Sequence, residues 1–191
     1  MQTSCGSFEI ALDVARAPKT TSSFAYLARR GVYDDTLFHR IVPGFAVQGG
    51  DPTGSGMGGP GYSVDEKPPQ NLSYTHGVVA MAKSPAEPPG RSGSQFFVVT
   101  EPDAGLTPDY ALLGHVIGGL DAVQRIEQLD DMSPVGIRSS ADDNAVGLGE
   151  DGNRPSEAQV LRRVTEANRA PACLGGKPRF ELSGRPNGHL R

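Results

Sequence analysis

One guanidinium set among aromatic residues carries the most distinctive chemistry of this chain. Residues 38–45 read Phe-His-Arg-Ile-Val-Pro-Gly-Phe, and residues 93–100 read Gly-Ser-Gln-Phe-Phe-Val-Val-Thr. In the first run Leu37, His39 and Ile41 alternate with Phe38, Arg40 and Val42, the two-residue period of a strand. Pro43-Gly44 interrupts the run before Phe45-Ala46-Val47-Gln48 resumes it. Arg40 is therefore expected on a strand close to a turn, with His39 on the opposite face as a structural histidine. Two strands carrying Phe45, Gln48 and Phe97 would form an apolar hollow with a guanidinium and an amide at its edge, a composition common in small-ligand sites.

Other chemistries fit the residues less well. Gly54-Ser55-Gly56-Met57-Gly58-Gly59 satisfies the letters of G-x-G-x-x-G, but Pro60-Gly61 follows where a phosphate site needs a helix N-terminus. The acidic run Asp142-Asp143-Asn144 with Glu150-Asp151 lacks calcium-loop spacing and reads as solvated loop. Cys5 and Cys173 are too few for a disulfide framework and lack metal-ligand spacing, so they read as structural thiols. A formal net charge of −4 argues against a dedicated nucleic-acid surface.

The motifs 38–51 (FHRIVPGFAVQGGD), 77–82 (GVVAMA) and 93–97 (GSQFF) closely resemble the cyclophilin family of peptidyl-prolyl cis/trans isomerases, across residues 4–165. The resemblance implies a mainly β fold, a closed antiparallel eight-stranded barrel capped by two helices. It implies no cofactor and no metal. It makes Arg40 the catalytic residue. By the same resemblance Phe45, Phe97 and Leu106 wall the proline ring, and Gln48 orients the Arg40 fork or binds substrate backbone. Ala46, Ala82, Lys83, Gln95 and Tyr110 complete the implied substrate-binding set. Phe96, alternating with Phe97, falls to the core.

The chemistry so implied needs no nucleophile or general base. The partial double bond of an X–Pro amide gives a rotation barrier of about 18–20 kcal/mol. Rotation breaks the resonance and returns a lone pair to the proline nitrogen. A donor aimed there binds the twisted state more strongly than either planar one. Arginine, a permanent five-donor fork, suits the task.

Three positions depart from the family pattern. Lys83 stands where many members have Asn, with a longer loop following it. Tyr110 replaces a common His, as in certain bacterial members. No aromatic occupies 105 or 106, where cyclosporin-sensitive members carry tryptophan. These departures keep two alternatives open: a non-catalytic proline-peptide binding module, and a scaffold acting through a basic tail.

The remaining residues supply the frame. At 191 residues the chain suits one domain, taken as 1–167, with a basic and disordered tail at 168–191. Alternation at 8–12 gives a first strand, and Pro18 opens a helix reaching 30. Residues 49–61 are loop, 78–82 and 95–100 strands, and 84–90 a proline-rich loop between them. Leu112, Leu113, Val116 and Ile117 mark a strand, and Leu120, Val123, Ile126 and Leu129 a second helix. Residues 131–157 read as loop with a short strand at 135–137, and 160–165 as the strand that closes the barrel. No apolar run approaches the roughly 18 residues of a membrane span, and no leader pattern opens the sequence. The expectation is a cytoplasmic monomer acting on proline-containing peptides and unfolded proteins, or an extracytoplasmic one if a signal or anchor precedes Met1.

Overall fold

The computed structural model describes residues 1–129 and the backbone of one further strand, Val135–Arg138. The elements expected at 160–165 and 168–191 lie outside the described residues, as does the acidic run at 142–151. In chain order the elements are β1 (Gln2–Thr3), β2 (Gly6–Ser7), β3 (Glu9–Leu12), α1 (Pro18–Arg29), β4 (Leu37–Val42), β5 (Ala46–Asp51) and β6 (Val64–Asp65). They continue with β7 (Val78–Met81), β8 (Arg91–Ser92), β9 (Phe96–Val99), β10 (Leu112–Gly118), α2 (Leu120–Glu127) and β11 (Val135–Arg138).

Nine strands make one sheet in the order β2-β1-β11-β4-β5-β9-β7-β10-β3, with every pairing antiparallel, and β6 and β8 form a separate ribbon. The two end strands, β2 and β3, are separated in the chain by Phe8 alone, so the sheet has to curl until its edges meet. Among the described residues the sheet differs from the expected closed eight-stranded barrel in two respects. It has nine strands because residues 2–7, ahead of the strand expected at 8–12, form the short β1–β2 hairpin before the chain breaks at Phe8, and no ladder joins β2 to β3 among the described residues. At the break, the Phe8 N–H turns back to the Met1 carbonyl at 2.9 Å.

Cross-strand neighbours share a face of a sheet, and two apolar clusters occupy the two faces of this one. Ile41, Val47, Val98 and Val79 follow one another across β4, β5, β9 and β7 and face inward. There they meet Phe24, Leu27 and Ala28 of α1 and Val123 and Ile126 of α2. Phe96 centres this inner core, edge-on to Phe24, Tyr33 and Phe38 at 5.8, 6.0 and 5.9 Å. The next residue, Phe97, belongs to the cluster on the outer face.

α1 starts at Pro18, which tolerates a missing N–H at that position. Its N-cap, Ala17, has no side chain able to cap the first turn. Glu66 does so from a distance, accepting from the N–H groups of Lys19 and Thr20 at 3.1 and 2.7 Å. Cys5, read above as a structural thiol, is buried and disulfide-bonded, which two cysteines without local spacing gave no means to foresee. Cys173 lies outside the described residues.

Phe96→Ala would empty the centre of the inner core without touching the outer face. We expect a loss of about 3–5 kcal/mol, read as a lowered midpoint of urea unfolding. A midpoint within error of wild type would show that Phe96 does not carry the core.

Candidate active site

The strand alternation expected for 37–42 is broken, and the break builds the site. Phe38 pairs with Gly49 and Arg40 with Gln48, so His39 is an extra residue on β4, a β-bulge. Phe38 and Ile41, three residues apart, consequently both face the inner core, at 1% and 2% exposure. An unbroken strand would send them to opposite faces. His39 is therefore not on an inward face opposite Arg40, as the alternation had implied. Its ring lies half-buried against Gly56, where an added Cβ would stand 3.6 Å from its Cδ2. A second irregularity, at Gly50 on β5, restores the register so that Leu37 pairs with Asp51. With φ at +83° and the Ser94 carbonyl 2.7 Å from any added Cβ, position 50 demands glycine.

Arg40, Gln48, Phe97, Ala80 and Leu112 are successive cross-strand partners on the outer face. One strand position away Ala46 faces the same side, with 1% exposure. Partly buried Phe45, Ala82, Leu106 and Tyr110 pack onto this cluster, together with Leu72 and Ala104. The fold thus brings Phe45, Ala46, Ala82, Phe97, Leu106 and Tyr110 into one apolar surface, with Gln48 and exposed Arg40 at its edge.

Tyr110 stands edge-on to Phe97, with centroids 5.4 Å apart at 88°. It is held there by Tyr74, whose phenol donates to the Tyr110 carbonyl at 2.6 Å and accepts from the Tyr110 N–H at 3.0 Å. Burial pushes the Tyr74 phenol up to about 12, so it remains a donor at neutral pH. Tyr74 was missed in the sequence. The available signal was Leu72 and Tyr74 alternating with the polar residues Asn71, Ser73 and Thr75.

Lys83 reaches over this wall, with its Nζ 5.5 Å from the Tyr110 centroid. It donates to the carbonyls of Ser84 and Glu87 at 3.3 and 3.1 Å, drawing in the first turn of the proline-rich loop. The Gln48 amide donates to Gln95 Oε1 at 3.0 Å, which leaves its own carbonyl for the Arg40 fork or for substrate backbone. Gln95 in turn donates to the carbonyls of Gly56 and Gly58. The Arg40 guanidinium forms no hydrogen bond or ion pair among the described residues, leaving all five of its donors for an incoming acceptor. No group of three or more His, Cys, Asp or Glu that could hold a metal ion occurs among the described residues.

Residues 1–142 match the profile of the cyclophilin type peptidyl-prolyl cis-trans isomerases. Over 128 residues the chain is 43% identical to a peptidyl-prolyl cis-trans isomerase-like 1 of Aspergillus niger, covering 65% of this chain and 77% of that protein. It is 34% identical over 180 residues to a peptidyl-prolyl cis-trans isomerase-like 2 of Cryptococcus neoformans, covering 90% of this chain and 31% of that longer protein. Among solved structures, a Cryptosporidium parvum cyclophilin type isomerase, determined in the presence of the dipeptide Ala-Pro, superposes with a TM-score of 0.65. Identity is 31%, covering 71% of this chain and 92% of that one. These relatives are fungal and protozoan, and they lend no support to the bacterial likeness read from Tyr110.

Burial lowers the His39 pKa below its ordinary 6.5, against the opposing pull of the Asp51 carboxylate, so the imidazole is held neutral. The unfolded chain then binds a proton that the folded state resists. Its contribution to stability is complete above about pH 6.5 and is lost as pH falls from there through the lowered folded value. Melting temperature should therefore drop between pH 7 and pH 5, and drop less in His39→Gln. Parallel pH profiles for the two proteins would remove His39 from this role.

Proposed function

The chain belongs to the cyclophilin-type peptidyl-prolyl cis-trans isomerase family, and from that premise we propose that Arg40 supplies the donor that lowers the barrier to rotation about an X–Pro bond. The substrates are X–Pro bonds in peptides and in folding proteins. The observation that carries the reading is the row Arg40, Gln48, Phe97 across three strands, which sets an unpaired guanidinium beside a prebuilt apolar wall.

The proline ring lies on Phe97, between Phe45, Leu106 and Tyr110, and its burial there excludes water from the bond that turns. That wall touches planar and twisted proline alike, so it contributes binding but little selectivity for the transition state. Selectivity comes from Arg40. As the amide twists, the nitrogen becomes pyramidal and its lone pair meets a donor already in place, a contact that planar substrate does not offer. A donor of this type is typically worth about 2.7–4 kcal/mol. Substrate backbone on either side meets Gln48 and the strand edge around Ala82 and Gln95. No proton moves, which leaves neutral His39 a packing role. The closed barrel that the resemblance implies belongs to the same proposal.

A second reading, proline-peptide binding without turnover, rests on Lys83. Its ammonium occupies the space over Tyr110 and lacks the acceptor that an Asn side chain would offer a substrate. Turnover separates the two readings. The wild-type chain should accelerate interconversion of a cis X–Pro peptide. Phe97→Ala should weaken binding and kcat/KM together by roughly tenfold to hundredfold with kcat little changed, as loss of one aromatic wall that contacts both states implies. Peptide binding by the wild type with no acceleration would establish the second reading. A Phe97→Ala variant that matches wild type would remove Phe97 from the wall.

A further inference from the structure

Asp51, the last residue of β5, is fully buried, yet no cation lies within ion-pair distance of its carboxylate among the described residues. Its oxygens are satisfied instead by the loop that follows. Oδ1 accepts from the Thr53 N–H at 2.7 Å and the Thr53 hydroxyl at 2.8 Å. Oδ2 accepts from the Gly58 N–H at 3.0 Å and the Ser55 hydroxyl at 3.3 Å. Burial alone would raise this carboxyl, but the N–H groups of Thr53 and Gly58 outweigh it and hold the pKa below the ordinary value. A Cβ at position 58 would run into Asp51 and Thr53, so the close approach requires a glycine there.

The gathered loop has a second contact, on the side of the site. Both amide donors of Gln95 are directed to it, to the Gly56 carbonyl at 3.0 Å and the Gly58 carbonyl at 2.8 Å. A flipped Gln95 would put its own carbonyl against those two, so the loop fixes which way the amide faces. Its Oε1 then accepts from Gln48 at 3.0 Å, and Gln48 is the cross-strand partner of both Arg40 and Phe97.

We propose that Asp51 is a positioning residue for isomerisation: its ionised carboxylate gathers residues 52–58 so that Gly56 and Gly58 aim Gln95, and Gln95 aims the Gln48 amide at the edge of the Arg40 site. This rests on the isomerase reading above, and it assigns to the glycine-rich run at 54–59 a task unrelated to phosphate. Asparagine fits the same space but turns one acceptor into a donor, which faces either the Gly58 N–H or the Thr53 N–H.

The test uses the full chain as wild type, Asp51→Asn, Gln95→Ala and the double variant. It measures kcat/KM on an X–Pro peptide and the side-chain amide NMR resonances of Gln48 and Gln95. Asp51→Asn should lower kcat/KM by roughly tenfold, the scale of one charge-assisted hydrogen bond. It should also shift both glutamine resonances, and it should cost nothing further when added to Gln95→Ala, because the relay is already cut. Wild-type resonances and rate in a folded Asp51→Asn, or additive losses in the double variant, would overturn the proposal. Should Asp51→Asn fail to fold, Thr53→Val combined with Ser55→Ala removes two hydroxyl donors from the knot and must shift the same resonances; unmoved resonances would again overturn it. A wild type that binds peptide without turnover would sink the isomerase reading instead, and the resonances would still decide the relay.

Discussion

The extra residue at His39 is the constraint from which the site follows. A six-residue strand in a curled sheet has one face inward and one outward, and inward positions belong to large apolar side chains. β4 has to give Phe38 and Ile41 to the inner core and still present a cation outward beside Phe97. Regular alternation cannot do both, because Phe38 and Arg40 have the same parity. The bulge absorbs the conflict: Phe38 stays inside, His39 takes the extra position against Gly56, and Arg40 reaches the outer face opposite Gln48. The irregularity at Gly50 returns the ladder to register, which fixes Asp51 where the next loop can close on it.

Seen from the outer face, the site combines two physical effects that would be weaker apart. On the proposed reading, the apolar wall of Phe45, Phe97, Leu106 and Tyr110 would give binding without discrimination between planar and twisted proline. In the proposed mechanism Arg40 discriminates, because its fork is unpaired and would meet only the lone pair that twisting creates. Rigid support comes from residues that never touch the reacting bond. Tyr74 pins Tyr110 through two hydrogen bonds, and Gln95 pins Gln48 through one.

Much of this was legible in the sequence, and what was not has identifiable causes. Apolar runs and helical spacing located β4, β5, β9, β10, α1 and α2, although bulges in β4 and β5 break the alternation within them. The split between Phe96 and Phe97 followed from period two alone. The face of His39 was misread because a bulge has no letter of its own, and its compensating glycine lies eleven positions later on the partner strand. The nine-strand count was hidden in residues 2–7, whose polar run carries no alternation to mark the β1–β2 hairpin ahead of Phe8. Arg40, Phe97 and Gln48 were identified by resemblance more than by spacing, since one Arg on a strand is usually a surface charge. Gln48 was expected to orient Arg40 or bind substrate backbone; the contact its amide donor makes, to Gln95, joins residues 47 positions apart and has no signal in the sequence. Tyr74 escaped notice because it holds another residue and no motif contains it, and Asp51, the last letter of the 38–51 run, was given no role there.

The claim at the centre of this account is that Arg40 acts on the twisted state and hardly at all on the planar one. NMR line shapes of an X–Pro peptide, titrated with wild type and with Arg40→Ala, report affinity and on-enzyme interconversion in one experiment. The account predicts a Kd changed by no more than a few-fold and an interconversion rate lowered by roughly a hundredfold or more in folded Arg40→Ala. An interconversion rate close to wild type, or affinity and rate falling in equal proportion, would contradict it.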